Sequence, residues 1–143
     1  MIEEIEKRIS QLKRIGEDLN TMINEAIRQN AKFLIDLNVQ QQLKGLDAKG
    51  SKIGTYAEST KKSRRRKGLQ VSFVDLEDTK NYHHGFAIHY GKDFVEIAAP
   101  DIMYSLFLDN RYKNLTGLTE ESLEVLRKQL RPFLDAELSK RLS

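Results

Sequence analysis

The sequence predicts an α+β domain: a long N-terminal amphipathic helix, a small antiparallel sheet with a β-hairpin, and a kinked C-terminal helix. Three patterns carry this expectation. Apolar residues recur in steps of three and four from Ile5 to Ile27, two alternating runs flank a Gly91-Lys92-Asp93 turn, and a second helical stripe runs from Leu123 to Leu138. At 143 residues the chain is long enough to bury one core. It reads as a single domain, 1–143, made of a helical arm (1–44), a basic loop or short helix (45–68), a sheet (69–100) and C-terminal helices (101–143).

In the arm, Ile5, Ile9, Leu12, Ile15, Leu19, Met22, Ile23, Ala26 and Ile27 share one helical stripe with charges opposite. The first three turns resemble an a/d seam, so the stripe packs either on a neighbouring subunit or on the chain's own sheet. Gly16 costs about 1 kcal/mol against Ala inside a helix and marks either a bend or a close approach by another backbone. The pattern continues through Phe33, Leu34 and Leu37 and is expected to fray in the polar run Asn38 to Gln42. It forms either one long arm or two helices meeting near Asn30.

Asp47 and Gly50 place a turn in the next segment. Ser59 is then expected to cap a short helix from Thr60 to Lys67, closed by Gly68 as its C′ residue. From Leu69 the character turns toward strand through Val71, Phe73, Val74 and Leu76. Phe86, Ile88 and Tyr90, then Val95, Ile97 and Ala99, alternate with other residues as the two arms of a hairpin that Pro100 ends. Ile102 to Leu108 reads as a short helix. Thr119 is placed to cap the last helix, with Glu120 and Glu121 in its first turn and Leu118 set to staple onto Leu123. Its face carries Leu123, Leu126, Leu130, Phe133, Leu134 and Leu138, and Pro132 predicts the kink.

No catalytic, cofactor-binding or metal-binding constellation is visible. The absence of cysteine excludes disulfides and thiolate metal sites. His83 and His84, read as neighbours on one strand with His89, would point to opposite faces and not share an ion, and no other ligand cluster accompanies them. Asp75/Asp78 and Glu120/Glu121 have no nucleophile or Gly-rich loop beside them. Asp78-Thr79 is followed by Lys80 where an aspartic protease has glycine. The expectation is a protein that is not an enzyme. The N-terminus lacks a cationic region leading into an apolar one, and no run approaches the roughly 18 apolar residues of a spanning helix. Synthesis in the cytoplasm without membrane insertion is expected.

Charge is the informative feature. The net value is only +3, yet residues 45–68 hold eight of the 24 basic side chains and two of the 21 acidic ones. Lys61, Lys62, Arg64, Arg65, Arg66 and Lys67 fill six of seven consecutive positions. Such a block neutralises phosphates without reading bases, or it pairs with an acidic surface on a partner subunit, or it is a solvated turn.

Taken as an ordered series, the chain resembles the phage virion morphogenesis and tail completion proteins, neck or connector components of tailed phages. Asp47, Gly50, Tyr56, Thr60, the segment Leu76-Glu77-Asp78-Thr79, the hairpin from Tyr82 to Ala99, Met103-Tyr104-Ser105-Leu106 and Gly117-Leu118-Thr119 follow that family's order. Lys80 stands where the family usually has glycine, Tyr82 replaces leucine, and a Pro-x-Arg before the last helix is missing. The resemblance implies a non-enzymatic, ring-forming virion protein at the head-tail junction. Its neighbours would be portal, connector and tail proteins, with double-stranded DNA in the channel. Under it, Ile5, Ile9, Leu12 and Tyr56 are candidate subunit contacts, and the six cations of the basic block face the lumen or an adjacent ring. A stand-alone, sequence-independent nucleic-acid-binding protein is the competing expectation.

Overall fold

The computed structural model describes residues 1–143 as six helices and one two-stranded antiparallel sheet. Helix α1 (Ile2–Gln29) and helix α2 (Ala31–Leu43) meet at Asn30, the two-helix form of the arm. Asn30 leaves helical geometry at φ −120°, ψ 25°, and its Nδ2 donates to the Ala26 carbonyl (2.8 Å). That bond closes the C-terminal end of α1, where carbonyls have no helical donor. Gly16 sits within unbroken helix, and a Cβ there would meet nothing within 4 Å. The close backbone approach is thereby excluded.

The expected fraying of Asn38 to Gln42 does not occur, because these amides stay helical and are used as internal partners. Gln41 Nε2 donates to the Asp47 and Gly117 carbonyls, and Gln41 Oε1 accepts from the Thr119 N–H. Gln42 Nε2 donates to the Leu115 carbonyl, and Asn38 Oδ1 accepts from the Gly117 N–H. Buried amides need partners, and an irregular backbone segment supplies them. The polar run thus ties residues 115–119 to α2.

The short basic helix α3 spans Glu58–Arg66. It begins before Ser59, so Ala57 is the N-cap and Ser59 lies inside the first turn. Gly68 follows at φ +74°, the left-handed conformation that suits glycine at C′. The strand expected from Leu69 to Leu76 is absent. Val74 and Leu76 are buried, but the backbone is irregular, and Leu76 itself adopts φ +63°, which ends any extended run. His83 and His84 lie on the single-turn helix α4 (Asn81–His84), not on a strand.

The sheet is the hairpin alone. Strand β1 (Ala87–Tyr90) pairs with β2 (Val95–Ala98) in the register Ala87↔Ala98 to Tyr90↔Val95. Its tip is held to α1 by Asn24 Nδ2 on the Gly91 carbonyl (2.9 Å) and Asn20 Nδ2 on Asp93 Oδ1 (3.1 Å). Helix α5 covers Met103–Arg111 and α6 covers Glu120–Leu142. Thr119 caps α6 as expected, its hydroxyl accepting from the Ser122 N–H (3.1 Å). Pro132 lies within α6 and removes the donor that the Lys128 carbonyl would otherwise use.

Two apolar clusters share α2. On one side Ala26, Ile27, Leu34, Leu126 and Leu130 join α1, α2 and α6 over the hairpin residues Ile88, Tyr90, Val95 and Ile97. On the other, Val74, Leu76, Tyr82, Phe86, Leu108 and Leu115 pack with Ile35 and Val39. No helix is long and apolar enough to cross a membrane.

Candidate interaction surfaces

Helix α3 carries the basic block, and its inner face is a structural lock. Arg64 is only 6% exposed and Asp75 only 2%. The Arg64 Nη2 donates to Asp75 Oδ1 (2.9 Å), Nε to the Gln70 carbonyl (2.9 Å) and Nη1 to the Glu77 carbonyl. The guanidinium also lies 4.2 Å from the Tyr56 ring centroid, where a cation is attracted by the ring face. Asp75 is saturated in turn. Its Oδ1 accepts from the Tyr56 hydroxyl (3.0 Å) and the Glu77 N–H (3.0 Å), and Oδ2 accepts from Gln70 Nε2 (2.7 Å).

The surroundings respond electrostatically. Burial, with the Asp75 charge adding to it, pushes the Tyr56 hydroxyl up to about 12. His83 hydrogen-bonds the Asp75 carbonyl through Nε2 (3.0 Å), and burial lowers its pKa below the usual histidine value. The expectation that Arg64 contacts DNA or a partner is therefore corrected. At 6% exposure, with three of its five N–H donors committed to one carboxylate and two carbonyls, the guanidinium fixes the irregular segment 70–77 against α3.

The other cations divide in two. Lys67 pairs with Asp78 (2.8 Å) and Lys61 with Glu58 (3.3 Å), both at exposed partners. Lys62, Arg65 and Arg66 are exposed and make no ion pair or hydrogen bond within the chain. Their i, i+3, i+4 spacing sets them on one outward face. Of the six expected contacts only Arg64 is withdrawn into the fold, and three of the other five have no partner within the chain.

Between α3 and α5 runs a groove. Its apolar end, ≈ 350 Å³, is lined by Tyr56, Leu76, Tyr104, Phe107, Leu108 and Tyr112, with Arg111 at the edge. Its polar end, ≈ 330 Å³, shares Tyr56, Thr60 and Tyr104 and adds Ser59, Ser63, Lys67 and Asp78, with Arg64 at its floor. Tyr56 thus turns its hydroxyl inward and its ring toward the groove. Tyr104 stacks on Phe107 with centroids 6.4 Å apart. Met103, Leu106 and Phe107 are exposed, Met103 by 82%.

This α5 surface was not singled out from the sequence. The signal was there: Ile102, Met103, Leu106, Phe107 and Leu108 occupy too many directions for a nine-residue helix to bury them all against one core.

The third surface is the outer half of α1. Ile5 (53%), Ile9 (50%) and Leu12 (58%) stand open to solvent, with Ile2 before them and Leu19 after. Helix α6 reaches this half only along another face, through Arg8 Nη1 on the Leu142 carbonyl (2.8 Å) and Asp18 on Arg141 (2.9 Å). The stripe therefore divides: its inner half, Ile23, Ala26 and Ile27, packs with the hairpin of the same chain, and Ile5, Ile9 and Leu12 do not. No family model, curated protein or solved structure matches the chain.

Proposed function

We propose that the chain is a structural component of a tailed-phage virion, a ring-forming neck or tail completion protein at the head-tail junction. It works by assembly with copies of itself and with portal, connector and tail proteins around the DNA channel, and not by turnover. The observation that carries this reading is the pair of apolar surfaces, the outer α1 stripe and the α5 face, left open on one small chain. Apolar patches of this kind mark surfaces that another molecule covers, and a head-to-tail contact between two different patches of identical subunits generates a ring when the rotation closes.

The ordered motif series supports the same class, and so does one detail of backbone. Lys80, at the position where the resembled family usually has glycine, adopts φ +71°, a conformation glycine enters without strain.

Light scattering and negative-stain microscopy of the purified chain over a wide concentration range test the proposal. Discrete rings or a concentration-dependent oligomer are expected. A strict monomer at every concentration, also with its neighbouring virion proteins present, overturns it.

A second reading is favoured by one observation, the three unpaired cations on the outer face of α3. On that reading the chain binds nucleic acid by phosphate neutralisation alone. Three contacts give a log–log salt slope of roughly −3, reduced by about 1 for each cation removed. A flat slope eliminates it.

A further inference from the structure

We infer that the outer half of α1 pairs antiparallel with the same segment of a second copy of this chain, Ile9 of each arm packing on Leu12 of the other about a two-fold axis. The inference goes beyond the ring-forming reading and does not depend on it. A two-fold contact closes on two copies, so a ring needs a further surface such as the α5 face.

The stripe has the form of a helix-pairing seam. Ile2, Ile5, Ile9, Leu12, Gly16 and Leu19 follow one another in alternating steps of three and four, and all stand open to solvent. Arg8 and Asp18, which meet α6, lie to one side of this seam. Its other flank carries Glu6 and Lys13, both exposed and without an ion pair within the chain. The arm is helical before it pairs, so even a short seam costs little ordering.

Charge sets the direction. With Ile9 against Leu12 in an antiparallel pair, Glu6 of each arm falls beside the partner's Lys13, an attraction made twice. In a parallel pair the flanking residues that meet are Arg8 and the partner's Lys13, a repulsion made twice. Residues 2–19 hold five acids and four bases, so whole arms scarcely repel each other.

Glycine and the hairpin set the register. The same alignment places Ile5 on the partner's Gly16, beside which there is open space in the single subunit. Parallel arms would instead face glycine with glycine across a hole. The alignment also places Ile2, the first residue of α1, against the partner's Leu19. Immediately beyond, the hairpin tip occupies α1 at Asn20 and Asn24. Each arm therefore ends where the other subunit's hairpin begins.

Sedimentation over a wide concentration range tests the pair through its charges. Glu6→Lys and Lys13→Glu each turn two attractions into two repulsions, and each variant alone is expected to dimerise about tenfold or more weakly than wild type. Mixed in equal amounts, the two are complementary at both positions and form a heterodimer as tight as the wild-type pair. The double swap in one chain restores the homodimer. Ile9→Asp, at the two central layers, is expected to weaken dimerisation about 30-fold or more. Thermal unfolding verifies that each variant keeps the wild-type fold.

A Lys13→Glu chain that dimerises more tightly than wild type marks parallel arms and overturns the proposal. A mixture no tighter than its components does the same, and so does wild type that stays monomeric alone. Rings of wild type that persist unchanged in Ile9→Asp and in both charge variants overturn the arm pair and leave the ring reading standing. A dimer that these variants dissociate, with no ring formed even beside neighbouring virion proteins, upholds the arm pair and removes the ring reading.

Discussion

The two faces of α3 hold the same side chain in opposite circumstances. Arg64 points inward, bound to Asp75 and two carbonyls under the ring of Tyr56; Arg65, its neighbour in sequence, points into solvent with no partner. The two halves of α1 repeat the contrast in apolar form. Ile23, Ala26 and Ile27 continue the stripe of Ile5, Ile9 and Leu12, yet the first set is packed in the core while the second stands bare. Periodicity determines which residues share a face. What covers that face depends on elements far away in the chain.

The sharpest test of the contrast is a pair of arginine truncations. Arg64→Ala strands the Asp75 carboxylate in a site closed to water and removes donors from the Gln70 and Glu77 carbonyls. Breaking one side of a buried ion pair costs about 3–5 kcal/mol, so urea unfolding is expected to show a loss of that size. Arg65→Ala, one residue on, stays within about 0.5 kcal/mol of wild type. Equal losses for the two would mean that the inner and outer faces are not distinct.

The α1 contrast predicts a smaller step. Ile27→Ala opens a cavity among Leu34, Leu126 and Leu130 and is expected to cost about 2–4 kcal/mol. Ile9→Ala on the exposed half leaves unfolding of the isolated subunit within about 0.5 kcal/mol of wild type, and its effect falls on association instead. A large loss for Ile9→Ala at concentrations where the chain is monomeric would show that the outer stripe is covered by the chain itself.

These pairs also mark what the sequence made legible. The Thr119 cap, the hairpin and both helical stripes were readable because each rests on a local rule: a hydroxyl before a helix, alternation around a turn, spacing by three and four. The segment 69–76 was misread as strand because Val71, Phe73, Val74 and Leu76 are apolar enough for one. Val74 and Leu76 are instead buried in an irregular segment whose carbonyls accept from Arg64 and Gln70 and whose Asp75 and Leu76 N–H groups donate to the Tyr56 hydroxyl. Arg64 could not be told from Arg65 within the block itself. The available clue lay eleven residues on, where Asp75 stands between Val74 and Leu76. A carboxylate inside an apolar run needs a buried cation or several donors. The polar run Asn38–Gln42 failed similarly, since its partners at 115–119 are invisible to any local window.

The lock under α3 carries a pH dependence. His83 is buried against the Asp75 carbonyl with its folded pKa lowered by desolvation. A lowered folded value means the unfolded chain binds the proton first, so stability rises with pH through this window. Unfolding free energy is expected to be flat in this group above the ordinary histidine value of about 6.5 and to fall as pH drops below it. His83→Gln should remove that part of the fall. An identical profile for His83→Gln would place the sensitivity elsewhere.

The smallest expected effect is a gain. Lys80 enters α4 at φ +71°, and a left-handed conformation costs a residue with a Cβ about 1–2 kcal/mol. Glycine at this position relieves that strain but brings extra freedom to the unfolded chain, worth about 0.5–1 kcal/mol. Lys80→Gly is therefore expected to stabilise the fold by about 0.5–1 kcal/mol, with a higher urea midpoint and an unchanged slope. Unlike Arg64, Lys80 is exposed and makes no ion pair, so nothing on its side chain offsets the strain. A loss of stability in this variant would mean that the lysine side chain contributes more than its backbone costs, and position 80 would then belong with the inward set.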